Sequence, residues 1–504
     1  MHWQRDQRMR CIDSWRRRGN PWFLMRRERG HGAGAGTRAA GVLLAVPLCL
    51  TLAAQPAVAL PGAELWAKRY SGPAKLYDEA NALAVSSDGT KVFSTGFSRS
   101  SLSNNDYATV AYNAVTGAKL WAQRFDGQAH LDDQAEAVVV SPDGSTVFVT
   151  GRSRGAVDYA YATVAYGSST GEVLWSKRYD GPDDSGSEAR TIGVSADGSV
   201  VFVSGASYGS TSSLDYATVA YDASTGARLW EKRYNGPLNS HDEANALGVS
   251  PDGSSVFVTG YSYGLAQRAD YATVGYDAST GARLWVSRYA EPSNDNEEPL
   301  GARAVVVSPD SSRVFVTGRN RSNTTANDYA TVAYEASTGS QLWARRYDGP
   351  GAVSQDGASA LGVSPDGSSV FVTGSSSGST GRSDYATVAY VASTGTTLWV
   401  KRYNGTGDWY DFAEALGVSR DGSSVFVTGS SRGSTASYDD FTTVAYDASI
   451  STKLWVTRYD GALHSSDGAR SLGVSPDGSR VFVTGYSYGS TNTQDYATVA
   501  YATT

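Results

Sequence analysis

Apolar residues in this chain alternate with small or polar ones in short runs, and no stretch after residue 60 shows a helical period. One unit shows the pattern. Ala244-Asn245-Ala246-Leu247-Gly248-Val249-Ser250 alternates small or polar with apolar, and Pro251-Asp252-Gly253 is a tight turn. Val256-Phe257-Val258-Thr259 reads as a second strand and Tyr271-Ala272-Thr273-Val274-Gly275-Tyr276 as a third. Ser279-Thr280-Gly281 turns the chain into a fourth, Leu284-Trp285-Val286-Ser287-Arg288-Tyr289. Period-two runs punctuated by Gly, Pro, Asp and Ser predict antiparallel strands joined by short turns.

The unit recurs. Leu-Trp-x-x-Arg-Tyr/Phe occurs eight times, about 55 residues apart, with Trp66, Trp121, Trp175, Trp230, Trp285, Trp343, Trp399 and Trp455 at its centre. Four strands per unit and eight units predict an all-β fold, an eight-bladed β-propeller of four-stranded antiparallel blades. The first strand of each unit is expected innermost. Its sixth position before the turn serine is always alanine, from Ala80 to Ala469, and its fourth is Ala, Ser or Thr. Crowding at the axis explains those small residues, while Leu83, Val85, Ile192 and Val194 pack on the opposite side. The propeller segment opens with a lone fourth strand, residues 65–70, and closes with a lone third strand, residues 496–501. Their pairing completes the eighth blade and closes the ring, which protects the sheet edges that an open array would expose.

Strand alternation sorts the connections. The tight turns, Ser-x-Asp-Gly in seven of eight units, fall on one face. The longer, variable connections fall on the other, which is where a rigid scaffold usually binds.

Ala220-Tyr221-Asp222-Ala223-Ser224-Thr225-Gly226-Ala227-Arg228-Leu229-Trp230 resembles the tryptophan-docking motif of the pyrroloquinoline quinone (PQQ) dehydrogenase propellers, A-x-D-x-x-T-G-x-x-x-W. Ala220, Asp222, Thr225, Gly226 and Trp230 match. Elsewhere the Asp becomes Asn113, Gly167, Glu335 or Val391, and Ile450-Ser451 replaces Thr-Gly. The unit is also similar to repeats of secreted bacterial β-propeller proteins. The resemblance implies that the tryptophans stack between neighbouring blades. It also implies a PQQ-dependent oxidoreductase as the alternative to a binding role, with another enzyme using the channel mouth left open beside it. Such enzymes carry a vicinal cysteine pair and a tryptophan floor; here both cysteines, Cys11 and Cys49, fall before residue 60, and Trp409 is the one tryptophan after residue 60 outside the repeat.

Residues 1–59 read as a signal peptide: arginines (Arg16 to Arg29), an apolar run from Ala39 to Ala54, then Ala57-Val58-Ala59 as a cleavage signal. Met25 is an alternative start. Cleavage near Ala59 would leave residues 60–504 as one extracellular propeller domain without cysteine, thiolate metal site or membrane span. The formal charge of −7 includes a leader of ten arginines against three acids, so the remainder carries −14. That charge disfavours nucleic acid and suits a soluble, monomeric secreted protein.

Candidate chemistry concentrates on the variable face. Trp409-Tyr410 is the one place where a variable loop gains two large aromatics. Tyr208, Tyr261, Tyr263, Tyr486 and Tyr488 lie in Tyr/Ser/Gly-rich segments that suit adaptable contacts with a carbohydrate or protein. Asp78, Asp133, Asp242, Asp356, Asp411 and Asp467 each stand eight positions before a turn serine. They are expected near the channel mouth, either holding Ca²⁺ or capping backbone N–H groups. Glu136 and Glu414 are candidate members of a carboxylate pair. An Asp before the third strand and an Arg three residues after each repeat Trp, such as Asp215 and Arg233, are expected to pair within the blade. The leading expectation is a secreted binding protein, and neither metal nor cofactor is required by the sequence.

Overall fold

The computed structural model describes residues 59–503, apart from residues 101–103, 183–185, 210–212, 265–268, 291–300, 322–326, 352–354, 380, 434–437 and 490–492. The leader and its cysteines therefore lie outside the described residues. Eight four-stranded sheets form the blades, and every pairing within them is antiparallel. The first blade runs inner strand Asp78–Val85, second strand Lys91–Arg99, third strand Asn105–Asn113 and outer strand Lys119–Phe125. The inner strands touch one another around the whole ring, with Asp467–Val474 of blade eight meeting Asp78–Val85 of blade one. Among the described residues no helix is long and apolar enough to cross a membrane.

Closure uses both ends of the propeller. Glu64–Tyr70 pairs with Gln494–Ala502, placing Trp66 opposite Ala500 and Tyr70 opposite Tyr496. This pairing covers the edge of the third strand of blade eight, which would otherwise be open.

The core sits between blades. Phe148, Tyr161 and Trp175 of blade two pack on Val201, Val219 and Tyr221 of blade three, and the equivalent set recurs around the ring. Polar tips on the large side chains fix the stacking. Trp230 donates its indole N–H to the Ala278 carbonyl at 3.0 Å, and Tyr216 donates its hydroxyl to Ala272 at 3.1 Å, both in the next blade. The indole of Trp230 lies over Gly281, where a Cβ would stand 2.6 Å from the ring. That contact and a φ of 67° explain the Thr-Gly of the docking motif. Where Ser451 replaces the glycine, the backbone keeps the left-handed conformation at φ 60°.

The repeated Ala and Thr-Gly of the first two strands share one cause. Each inner strand carries a bulge: Ala80 pairs with Gly96 and Ala82 with Thr95, so Asn81 has no partner in the ladder. A Cβ on Gly96 would stand 2.0 Å from the Glu79 carbonyl oxygen. The bulge thus demands glycine opposite it. It also frees one residue per blade, Asn81, Glu136, Arg190, Asn245, Arg303, Ser359, Glu414 or Arg470, from the strand pairing.

Candidate functional site

Inner strands begin and second strands end on the same face. In blade seven Asp411 lies opposite Ser431 at that end, and Val418 opposite Val425 at the Ser-x-Asp-Gly end. Trp409, Tyr410 and the Tyr-rich segments therefore share one face, with the tight turns on the other. The segments Gly205–Tyr208, Gly260–Tyr263 and Gly485–Tyr488, expected as loops, are instead the last residues of second strands such as Val200–Tyr208. Pairing with the incoming third strand continues to their ends, Tyr208 opposite Leu214 and Tyr263 opposite Ala269, because no turn residue interrupts it.

At the axis this face opens into two clefts that meet at Arg303. One, of about 400 Å³, is lined by Arg303, Arg319, Ser359, Ser375, Phe412 and Glu414, among others. Its neighbour, of about 350 Å³, is lined by Glu136, Arg152, Glu188, Arg190, Asn245 and Arg303. The freed bulge residues supply six of these side chains, Glu136, Arg190, Asn245, Arg303, Ser359 and Glu414.

The charges are unevenly spent. Arg190 contacts Glu243 at 2.7 Å and Glu188 at 4.0 Å, and Arg152 contacts Glu188 at 3.3 Å. Arg470 meets Glu79 at 2.9 Å across the closing blade. Arg303 is exposed and forms no hydrogen bond or ion pair within the described residues. Partial burial raises the Glu136 carboxyl to about 7, against the pull of Arg152 and Arg190. The Glu414 carboxyl is raised by the same desolvation, opposed by Arg470 and Arg303.

An aromatic row leads into the larger cleft. Trp409, Tyr410 and Phe412 are 37%, 42% and 38% exposed. Trp409 and Tyr410 meet edge to face at 6.0 Å, and Tyr410 and Phe412 lie parallel at 6.2 Å. Two guanidinium groups lie over the indole, Arg382 at 4.1 Å and Arg432 at 5.0 Å. Arg382 also bonds the Asp408 carbonyl, which ties the loop down. Phe412 escaped sequence reasoning, although it stands just before the invariant alanine, where blades one to four carry Glu79, Gln134, Glu188 and Glu243.

The tyrosines divide. Tyr261 is buried opposite Glu243 and meets Tyr263 edge to face at 6.2 Å. Tyr486 lies under the Arg470 guanidinium at 5.5 Å, with Tyr488 two residues further along the same strand. Tyr208 is exposed at the outer end of its strand, beside Gly186. They are therefore not brought into one patch with Trp409.

The six repeat aspartates are fully buried or nearly so, and none lines either axial cleft. Each accepts the N–H of a glycine in the loop before it: Gly72 to Asp78, Gly127 to Asp133, Gly236 to Asp242, Gly349 to Asp356, Gly405 to Asp411 and Gly461 to Asp467, at 2.5–2.6 Å. Desolvation pushes the Asp133 and Asp411 carboxyls up to about 6. Three of the six join carboxylate triplets whose oxygens lie within 4.8 Å: Asp106–Asp126–Asp133, Asp328–Asp348–Asp356 and Asp440–Asp460–Asp467. These are the residues that could hold a cation. Each triplet already contains an ion pair, Arg124–Asp106 at 2.6 Å, Arg346–Asp328 at 2.5 Å and Arg458–Asp440 at 3.1 Å. The same Arg–Asp pair recurs within other blades, as Arg233–Asp215 at 3.0 Å. Blade two, with Ala160 at the aspartate position, turns Arg178 to Asp180 instead.

A planar quinone does not fit the donor set at the mouth. The eight repeat tryptophans are held between blades, and among the described residues lining the two clefts Phe412 is the one aromatic, which offers no broad floor.

Comparison with known proteins agrees with the architecture. The matching family model is PQQ_2, described as outer membrane protein assembly factor BamB, over residues 56–265 and 106–383. No curated protein matches the sequence. Among solved structures, Sqt1 from Chaetomium thermophilum, bound to the N-terminus of a ribosomal protein, is 13% identical with a TM-score of 0.57, covering 86% of this chain and 98% of its own. The quinohemoprotein alcohol dehydrogenase from Comamonas testosteroni is 12% identical with a TM-score of 0.54, covering 87% of this chain and 76% of its own. These likenesses are of fold. With more than half of its length matched, the chain belongs to the PQQ_2 (BamB) family, and its fold is the PQQ-like eight-bladed propeller.

Proposed function

We propose that this protein is an exported, monomeric binding protein that takes a carbohydrate on its variable face. The observation that carries the reading is the exposed row Trp409–Tyr410–Phe412 ending in a cleft of about 400 Å³. Large aromatics at this exposure are costly to leave in water, and in a row beside a polar cleft they form a platform for the apolar faces of sugar rings. The cleft volume falls within the range of small-ligand sites, ~300–1,000 Å³. A protein segment is the second ligand class. It is supported by Sqt1, a propeller of similar fold bound to the N-terminus of a ribosomal protein. A glycan array probed with the wild type and with Trp409→Ala tests the reading. Selective spots that fade in the variant support it, and an array without selective spots contradicts it. Export rests on the leader of residues 1–59, and N-terminal sequencing of the exported protein would show a start near Leu60.

A further inference from the structure

The axial mouth is not symmetric. Just before the invariant alanine, blades one to four carry Glu79, Gln134, Glu188 and Glu243, whereas blades five to eight carry Gly301, Gly357, Phe412 and Gly468. The three glycines let neighbouring side chains lie against the inner strands: a Cβ on Gly357 would stand 2.8 Å from Arg319 Nε, and one on Gly468 would meet the Tyr486 ring at 2.6 Å. On the acidic half every arginine already has a carboxylate partner. On the open half Arg303 lines both clefts and forms no ion pair among the described residues, with Glu414 as the carboxylate that shares its larger cleft. Phe412, the inner end of the aromatic row, lines the same cleft as Arg303.

We infer that this cleft binds an acidic oligosaccharide, with a uronate carboxylate on Arg303 and the neighbouring sugar rings on Phe412 and Tyr410. This rests on the carbohydrate reading above and names its ligand class. A guanidinium presents a planar fork that matches a carboxylate with two parallel hydrogen bonds. Ser359 and Ser375, in the same cleft, offer hydroxyls to the ring substituents. The acidic half sets polarity: Glu136, Glu188 and Glu243 outnumber Arg152 and Arg190 there, so the charged end is directed to the cleft of blades five and six, where Arg303 and Arg319 face the one carboxylate Glu414. The overall negative charge of the chain opposes long-range capture of an anion. The site therefore relies on short-range contact.

Calorimetric titration with a galacturonate tetrasaccharide, the matching neutral galactose tetrasaccharide and a tetraglutamate peptide tests this. The uronate is expected to bind at least about tenfold more tightly than the neutral sugar, equivalent to ~1.4 kcal/mol. Arg303→Gln should erase that preference and leave the neutral sugar within about twofold, since Arg303 makes no internal bond whose loss would disturb the fold. Phe412→Ala should weaken both sugars. Equal binding of the two sugars by the wild type overturns the carboxylate assignment. Binding of tetraglutamate as tight as the uronate overturns the saccharide class. If neither acidic probe binds while a neutral glycan does so and depends on Trp409, this inference falls and the carbohydrate reading stands.

Discussion

Gly62, near the start of the propeller, lies against the indole of Trp455, where a Cβ would stand 3.0 Å from the ring. The same indole donates its N–H to the carbonyl of Thr503, near the other end, at 3.2 Å. In the other repeats one continuous turn supplies both contacts. Here the docking turn is assembled from two ends of the chain, joined by Gly62 N–H to Ala502 O at 2.8 Å. Deleting residues 60–70 would remove the outer strand of blade eight and the seat of Trp455 together. The expected result is aggregation or a large fall in melting temperature, and a deletion variant that melts like the wild type would show that the ring closes otherwise.

The repeat tryptophans are expected to be structural. Trp230→Ala would lose the bond to Ala278 and leave a void between blades four and three, destabilising the protein by ~3–5 kcal/mol. Chemical denaturation measures this, with sugar binding retained in the folded fraction. A mild loss of stability with lost binding would instead place Trp230 in a site.

Ser451 offers a test in the opposite direction. It holds a left-handed conformation that its counterparts fill with glycine. Relief of strain outweighs the added freedom of the unfolded chain, so Ser451→Gly should stabilise by about 0.5–1 kcal/mol. Denaturation midpoints at unchanged slope would show it; a destabilised variant would mean that the Ser451 side chain contributes packing that the strain argument omits.

Stability should peak in mild acid. The carboxyls of Glu136, at about 7, and of Asp133, Asp411 and Asp440, at about 6, are raised by desolvation in the folded protein. Folded protein therefore holds these protons more tightly than unfolded chain, and stability is lost as pH rises from about 4 to 7. The turn aspartates behave oppositely. Asp88, Asp197, Asp310 and Asp477 sit at about 2 because turn hydroxyls and N–H groups bond their charged form. Their contribution is present above about 4 and lost as pH falls toward 2. Melting temperature should thus be highest near pH 4–5, and Glu136→Gln should flatten the decline above it. A melting temperature that rises from pH 5 to 8 would contradict the assignment.

The architecture was legible because each strand, turn and docking tryptophan recurs eight times, so a weak period-two signal in Ala244–Ser250 or Val256–Thr259 is reinforced by its copies. The repeated Arg–Asp pairs were legible for the same reason. The mouth was not, because it is built from the exceptions. Glu136 and Glu414 were visible as candidate carboxylates, but Arg303 is freed from the ladder by a bulge that period-two reading assigns to regular strand. Phe412 stands out only when compared with the Glu and Gly residues at its position. Trp409 and Tyr410 were visible as unusual aromatics, but the Arg382 and Arg432 guanidiniums over the indole depend on contacts with the preceding blade and the following strand.

The central claim is that ligand binds the face bearing Trp409, Tyr410 and Phe412. A glycan array read in parallel with wild type, Trp409→Ala, Phe412→Ala and, from the opposite face, Pro251→Ala tests it most directly. The first two variants should lose more than about tenfold in apparent affinity for the spots the wild type selects, and Pro251→Ala should match the wild type. Retained binding in both aromatic variants, with loss in Pro251→Ala, would contradict it.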